Sequence, residues 1–165
     1  VTPSCTRSST PSGPPSAAVS RRGSDDPLDP PLTDADVEPV VALWEATGLT
    51  RPWNDPRADI ARARAVWPDL LLVAEAGEEI VGSVMAGYDG HRGWLYYLAA
   101  DPSRRGEGIG SALVAEAERR LAALGCPKVQ LMVRSDNESV FAFYDARAYT
   151  RESVGVTGKR LVADV

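Results

Sequence analysis

The chain is poor in the residues that build most metal centres and covalent cross-links. Of its 165 residues, only Cys5 and Cys126 are cysteines and only His91 is a histidine. That excludes a Cys/His zinc site and a disulfide framework, so no metal is expected, and it fits a reducing, cytoplasmic compartment. No apolar run approaches the roughly 20 residues of a membrane span, so no membrane partner is expected. An excess of positive charge is also missing: 18 Lys and Arg stand against 23 Asp and Glu, a net charge of −5. Nucleic acid is therefore not expected as a partner, whereas an acidic surface suits a cationic acceptor such as an amine. What the chain does have is 44% hydrophobic residues and the length of one domain.

Residues 1–24 form a tail rich in Ser, Thr, Pro and Arg, with almost no large apolar side chains. Such a segment cannot bury enough surface to offset the entropy of ordering, and it is expected to be disordered. It lacks the apolar core of a secretory signal. Residues 25–165 are expected to form a single domain.

The strongest local signal is the stretch 96–113. An apolar, aromatic run reads as a buried strand, and Asp101-Pro102-Ser103 breaks it. Arg104 and Arg105 follow, then Gly106, Gly108 and Gly110, and then a helical pattern. Strand, Gly-rich turn and helix N-terminus together make an anion-binding arrangement. The spacing fits neither nucleotide motif. A dinucleotide fingerprint, G-x-G-x-x-G, would need glycine at Ser111 or at Leu113, and a P-loop would need a lysine that is not there.

In order along the chain, Pro27, Pro30 and Pro31 reduce a first strand to a short edge at best. Thr33 or Asp34 caps a helix carrying Val37, Val40, Val41 and Trp44, stopped by Gly48. Asp55 as cap and Pro56 in the first turn begin a second helix, with Ile60, Arg64 and Trp67. Residues 70–76 and 80–88 read as a hairpin, and 94–100 as the strand that feeds the glycine loop. The helix after the loop carries Ile109, Ala112, Leu113, Ala117, Leu121 and Leu124 on one face, and Gly125 stops it. Residues 128–134 read as a strand, and Ser135 or Asp136 caps a short helix through Phe141, Phe143 and Tyr144. Residues 154–162 supply the last strands, broken by Gly155 or Gly158. The whole is a mixed α/β domain with a largely antiparallel central sheet flanked by helices.

The motif Leu98-x-Ala100-x-Pro102-x-x-Arg105-Gly106-x-Gly108-x-Gly110, with Asn137 and Phe143-Tyr144 later, resembles the GNAT superfamily of N-acetyltransferases. The segments Arg51-Pro52-Trp53-Asn54-Asp55-Pro56, Gly87-Tyr88-Asp89-Gly90-His91-Arg92-Gly93, Gly125-Cys126-Pro127-Lys128 and Gly158-Lys159-Arg160-Leu161 look like the bacterial YpeA-type acetyltransferases. The resemblance covers about residue 32 to the end. It implies the GNAT fold and transfer of an acetyl group from acetyl-CoA, a co-substrate, to a primary amine: a protein N-terminus, a lysine or a small amine. A non-catalytic acyl-CoA-binding sensor on the same fold is the alternative, and either is expected as a monomer or homodimer.

The resemblance also implies a site. Leu98, Ala99 and Ala100 would align the pantetheine and polarise the thioester. Arg105, Gly106, Gly108, Ile109, Gly110 and Ser111 would cradle the pyrophosphate, and Asn137 and Tyr144 would complete the cofactor side. Tyr144 would hydrogen-bond the departing thiolate; a phenol of ordinary pKa, near 10, cannot readily give its proton to a thiolate near 8.5. The base is His91, a carboxylate such as Asp89 or Glu75, or a water relay. Two positions depart from the family. Arg147-Ala148-Tyr149 stands where Leu-Gly-Phe or Leu-Gly-Tyr is usual, which strains Ala148 if that position needs positive φ. Glu107 occupies a loop position that is often basic.

Overall fold

The computed structural model describes residues 28–163; the tail expected over 1–24 lies outside them. Five strands form one sheet in sequence order: β1 (Leu28–Pro31), β2 (Leu71–Ala76), β3 (Glu79–Tyr88), β4 (Gly93–Ala100) and β5 (Val129–Leu131). The first four are antiparallel neighbours and β5 runs parallel to β4. The proline-rich β1 is a four-residue edge strand with an irregular register at Asp29 and Pro31. Among the described residues, no helix is long and apolar enough to cross a membrane.

Helices cover both faces. On one side lie α1 (Val37–Ala46) and α2 (Pro56–Val66), with Val40, Val41, Trp44 and Ile60 packed on Leu71, Val73, Met85 and Ala99. On the other lie α3 (Ile109–Ala123) and α4 (Glu138–Asp145), with Leu113, Val114, Ala117, Leu121 and Tyr144 on Leu72, Ala74, Val84 and Leu95. The run 70–74 is apolar throughout because alternate residues enter alternate cores: Leu71 and Val73 one, Leu70, Leu72 and Ala74 the other. A Cβ on Gly82 would sit 2.5 Å from Ile109 and 2.9 Å from Leu113, so glycine there lets the start of α3 lie directly on the sheet.

Local signals act as their chemistry requires. The Asp36 carboxylate accepts hydrogen bonds from the Thr33 N–H at 2.8 Å and the Thr33 hydroxyl at 2.5 Å, tying down the turn before α1. Asp55 caps α2, accepting from the Arg57 N–H at 2.9 Å, with Pro56 in the first turn. Glu116 and Arg120 pair at 2.7 Å along α3.

Three expectations need correction. The strand read over 128–134 is only the three residues of β5. The cap of α4 is neither Ser135 nor Asp136 but Asn137, whose side chain accepts from the Val140 N–H at 3.3 Å. The strands read over 154–162 are absent: Val154, Val156, Leu161 and Val162 are each at least 70% exposed. A three-residue β5 offers too short a ladder, and Gly155 and Gly158 interrupt the alternation that would bury one face. Side-chain contacts hold the segment instead, Lys128 to Glu152 at its start and Arg160 to Asn54 (3.0 Å) near its end.

Candidate active site

The glycine loop follows β4 directly. Asp101 accepts from the Ser103 N–H at 2.8 Å and starts a single tight turn, after which the chain rises into α3. Gly106 and Gly108 have φ of 91° and 79°, the left-handed region that side chains disfavour, and nothing lies within 4 Å of the Cβ that either lacks. The loop thus presents bare backbone to open space. Gly108 is the residue before the first turn of α3, and no side chain caps it. The first hydrogen bond of the helix is Ala112 N–H to Gly108 C=O at 3.0 Å, so the N–H groups of Ile109, Gly110 and Ser111 are left for a ligand, at the positive end of a 15-residue dipole. Arg105 is exposed at the same loop. Glu107 pairs with Arg104 at 3.3 Å, which offsets the negative charge it brings there.

β4 is built to be read along its backbone. Its pairing with β5 ends at Leu95 opposite Leu131, so among the described residues the β5-facing edge over 96–100 has no strand beside it. Leu98, Ala99 and Ala100 lie on this stretch. On the β3 side the register slips: Ser83 faces Ala99 and Met85 faces Tyr96, so Tyr97 and Leu98 together oppose Val84. This is a β-bulge, and Tyr97 has φ of 51°.

α4 closes the third side. The Phe143 ring lies 3.4 Å from where a Gly110 Cβ would be. Tyr144 is buried and makes edge contacts with Phe143 and Tyr149 at ring-centre distances of 5.0 and 5.1 Å. Burial pushes its phenol up to about 12; the Arg147 guanidinium opposes this and Glu118 adds to it. Asn137 spends its side-chain oxygen as the cap of α4. A cavity of about 780 Å³ lies along β5, α4 and residues 148–156; Tyr144 lines it, but no residue of the glycine loop does.

His91 is not brought to this place. It sits in the β3–β4 turn, exposed, beside the first residue of β4, while the loop leaves from the last. Five residue steps of strand, from Gly93 to Leu98, span about 17 Å. Asp89 is at the same far end. It accepts the Arg92 and His91 N–H groups and the Trp94 indole, which together hold its carboxyl down at about 2. Among the described residues, no cluster of His, Cys, Asp and Glu is grouped to hold a metal ion.

An uncapped helix start behind a bare loop, next to an unpartnered strand edge, agrees with the comparison to known families. Residues 39–149 match the acetyltransferase (GNAT) family model. The chain belongs to the GNAT family. It is 52% identical over 130 residues to an acetyltransferase of Sodalis glossinidius, covering 78% of this chain and 92% of that protein. Among solved structures it resembles Ard1 from Thermoplasma volcanium, with a TM-score of 0.67 at 24% identity over 74% of this chain and 82% of that one. It also resembles the NatC complex bound to Gag peptide and CoA, with a TM-score of 0.63 at 20% identity over 74% of this chain and 84% of that one. Those two likenesses show the fold. The family model and the curated relatives make this chain an acetyl-transferring enzyme.

Within that family frame the departure at Arg147-Ala148-Tyr149 acquires a structure. Ala148 does have positive φ, 63°. Arg147 lays its guanidinium 3.5 Å over the Phe143 ring and hydrogen-bonds Ser111 in the first turn of α3. It ties α4 to the glycine loop, a role the sequence reading missed. So was Asp59, which accepts the Tyr97 hydroxyl at 2.6 Å; only its place on α2, across from a strand aromatic, signalled it.

Proposed function

We propose that this enzyme transfers the acetyl group of acetyl-CoA to a primary amine, on a protein N-terminus, a lysine or a small molecule. The observation that carries the reading is the bare left-handed glycine loop at the uncapped start of α3, beside the unpaired edge of β4. A pyrophosphate fits such a cradle because backbone N–H groups and the helix dipole converge there with no side chain in the way. Gly106, Gly108, Ile109, Gly110 and Ser111 would hold it, with Arg105 adding charge. Acetyl-CoA supplies an activated thioester. Leu98, Ala99 and Ala100 align the chain that carries it along β4, and a backbone N–H at the bulge polarises its carbonyl.

Tyr144 holds its proton, being pushed up to about 12, and donates a hydrogen bond to sulfur. His91 and Asp89 are at the wrong end of β4, and Glu75 is on β2, two strands and about 10 Å away. Proton removal from the incoming ammonium is therefore assigned to water. The test is release of free thiol from acetyl-CoA with a panel of amines, followed by mass spectrometry of the product. Acetylated product with stoichiometric thiol establishes the reading. Tight acetyl-CoA binding without thiol release for any amine would return the chain to the non-catalytic class.

A further inference from the structure

The bulge in β4 is held from one side by a network that the catalytic reading does not use. The Tyr97 ring stacks on Trp44 of α1, ring centres 4.0 Å apart and planes 11° from parallel. Its hydroxyl donates to Asp59 Oδ2 of α2 at 2.6 Å. The fully buried Trp44 donates its indole N–H to the fully buried Ser83 hydroxyl at 2.8 Å, and Ser83 in turn donates to the Tyr97 carbonyl at 3.4 Å. Side chain and backbone of one strained residue are thus held by three others, Trp44, Asp59 and Ser83. Nearby in sequence, on the turn before α2, Asn54 accepts from Arg160 at 3.0 Å, so two segments singled out in the sequence, 51–56 and 158–161, touch one another.

An aromatic residue at φ of 51° persists only where its surroundings over-determine it. The bulge sits on the strand that receives the thioester, and misplacing a carbonyl donor by a fraction of an ångström costs rate. We infer that Asp59, acting through the Tyr97 hydroxyl, is a positioning residue for acetyl transfer: the pair locks the β4 bulge in the conformation that presents its backbone to the thioester carbonyl. The inference rests on the proposed function. Burial and the bond to Asp59 push the Tyr97 phenol up to about 12, so it remains a donor throughout the working range.

The test uses the full chain and three variants, Asp59→Ala, Asp59→Asn and Tyr97→Phe, with the Asp59→Ala/Tyr97→Phe double variant. Each is checked for folding by circular dichroism. The expected result is a loss of kcat of about tenfold in Asp59→Ala and in Tyr97→Phe, with KM for acetyl-CoA changed less than twofold. The double variant should lose no more than either single one, because both remove the same bond. Asp59→Asn keeps an accepting oxygen and should recover most of the rate. If Asp59 were the base or the ammonium-binding group, Asp59→Asn would be as poor as Asp59→Ala and Tyr97→Phe would be near normal; that overturns the inference. An acceptor-independent readout is the infrared carbonyl band of bound acetyl-CoA carrying 13C at the carbonyl. Bound to the parent chain it should shift to lower frequency than free acetyl-CoA; Asp59→Ala should lose the shift and Asp59→Asn should keep it. An unchanged shift in Asp59→Ala refutes the positioning role. Failure of the parent chain itself to bind acetyl-CoA refutes the proposed function instead.

Discussion

Ala148→Gly should stabilise this enzyme, an unusual direction for a substitution to glycine. The end of α4 is a Schellman turn: the Tyr149 N–H bonds the Tyr144 carbonyl at 3.2 Å, and the Ala148 N–H bonds the Asp145 carbonyl at 3.1 Å. The accompanying hydrophobic contact is the Tyr144–Tyr149 pair. The residue between must be left-handed, and Ala148 is, at φ of 63°. Holding alanine there costs about 1–2 kcal/mol. Glycine removes that strain but loses about 0.4–1 kcal/mol through the larger freedom of its unfolded chain. The net gain is about 0.5–1 kcal/mol, which for a domain of this size raises Tm by about 2 °C, and by no more than about 4 °C. Ala148 is exposed, so no lost packing confuses the comparison. Scanning calorimetry is the assay, with Ala148→Val as the opposing arm, since a β-branched residue at positive φ should lower Tm by several degrees. A lower Tm for Ala148→Gly, or an unchanged one for Ala148→Val, would refute the claim that strain is stored there.

Gly108→Asp should reduce acetyl-CoA affinity at least tenfold by calorimetry while the fold survives, because its Cβ enters open space but its charge faces the phosphate; unchanged affinity would remove the pyrophosphate assignment. Tyr144→Phe keeps the ring contacts and should lower kcat and kcat/KM together by about tenfold; full activity would make Tyr144 a packing residue only. Hydrogen bonding from Arg119, reinforced by Arg120, holds Glu116 at about 2, below its usual 4.5. Its contribution is therefore present above pH 4.5 and lost as pH falls toward 2. In Tm measured against pH, Glu116→Gln should flatten that acid limb; an identical limb would show that other carboxylates set it.

The parts of this molecule that were legible in its sequence are those whose signal is local. Asp55-Pro56 opens a helix, the run 70–74 is a strand buried on both faces, and the three glycines end β4 and expose the start of α3, because capping, alternation and φ are decided within a few residues. Val154 and Val156 misled for the same reason: their alternation is a strand pattern, but a strand needs a partner, and the three-residue β5 does not provide one. The resemblance alone puts Asn137 on the cofactor side, and Ser135 or Asp136 read as the cap; the chain turns one residue later and Asn137 is the cap of α4. The contacts of Asp59 and Arg147 could not be read from local pattern. Each acts across elements, Asp59 on a residue 38 positions away and Arg147 on one 36 positions away, and no local pattern encodes such a meeting.

The position of Tyr144 decides how protons are handled. A phenol at about 12 facing a thiolate near 8.5 leaves proton transfer uphill by about 3.5 pKa units, more than the 1.5 that an unperturbed phenol would face. Burial thus makes Tyr144 a poorer acid and a more constant hydrogen-bond donor, and in the proposed function that is what a leaving sulfur would need while its charge develops. The same reasoning applies at the other end of the reaction. Asp59 already accepts from Tyr97 and pairs with Arg62 at 2.5 Å, so taking a proton from an ammonium would weaken the contacts that hold the bulge. In the proposed function, a base whose protonation would break the contacts it relies on is disfavoured by its own bonding, which is why the proton is given to water.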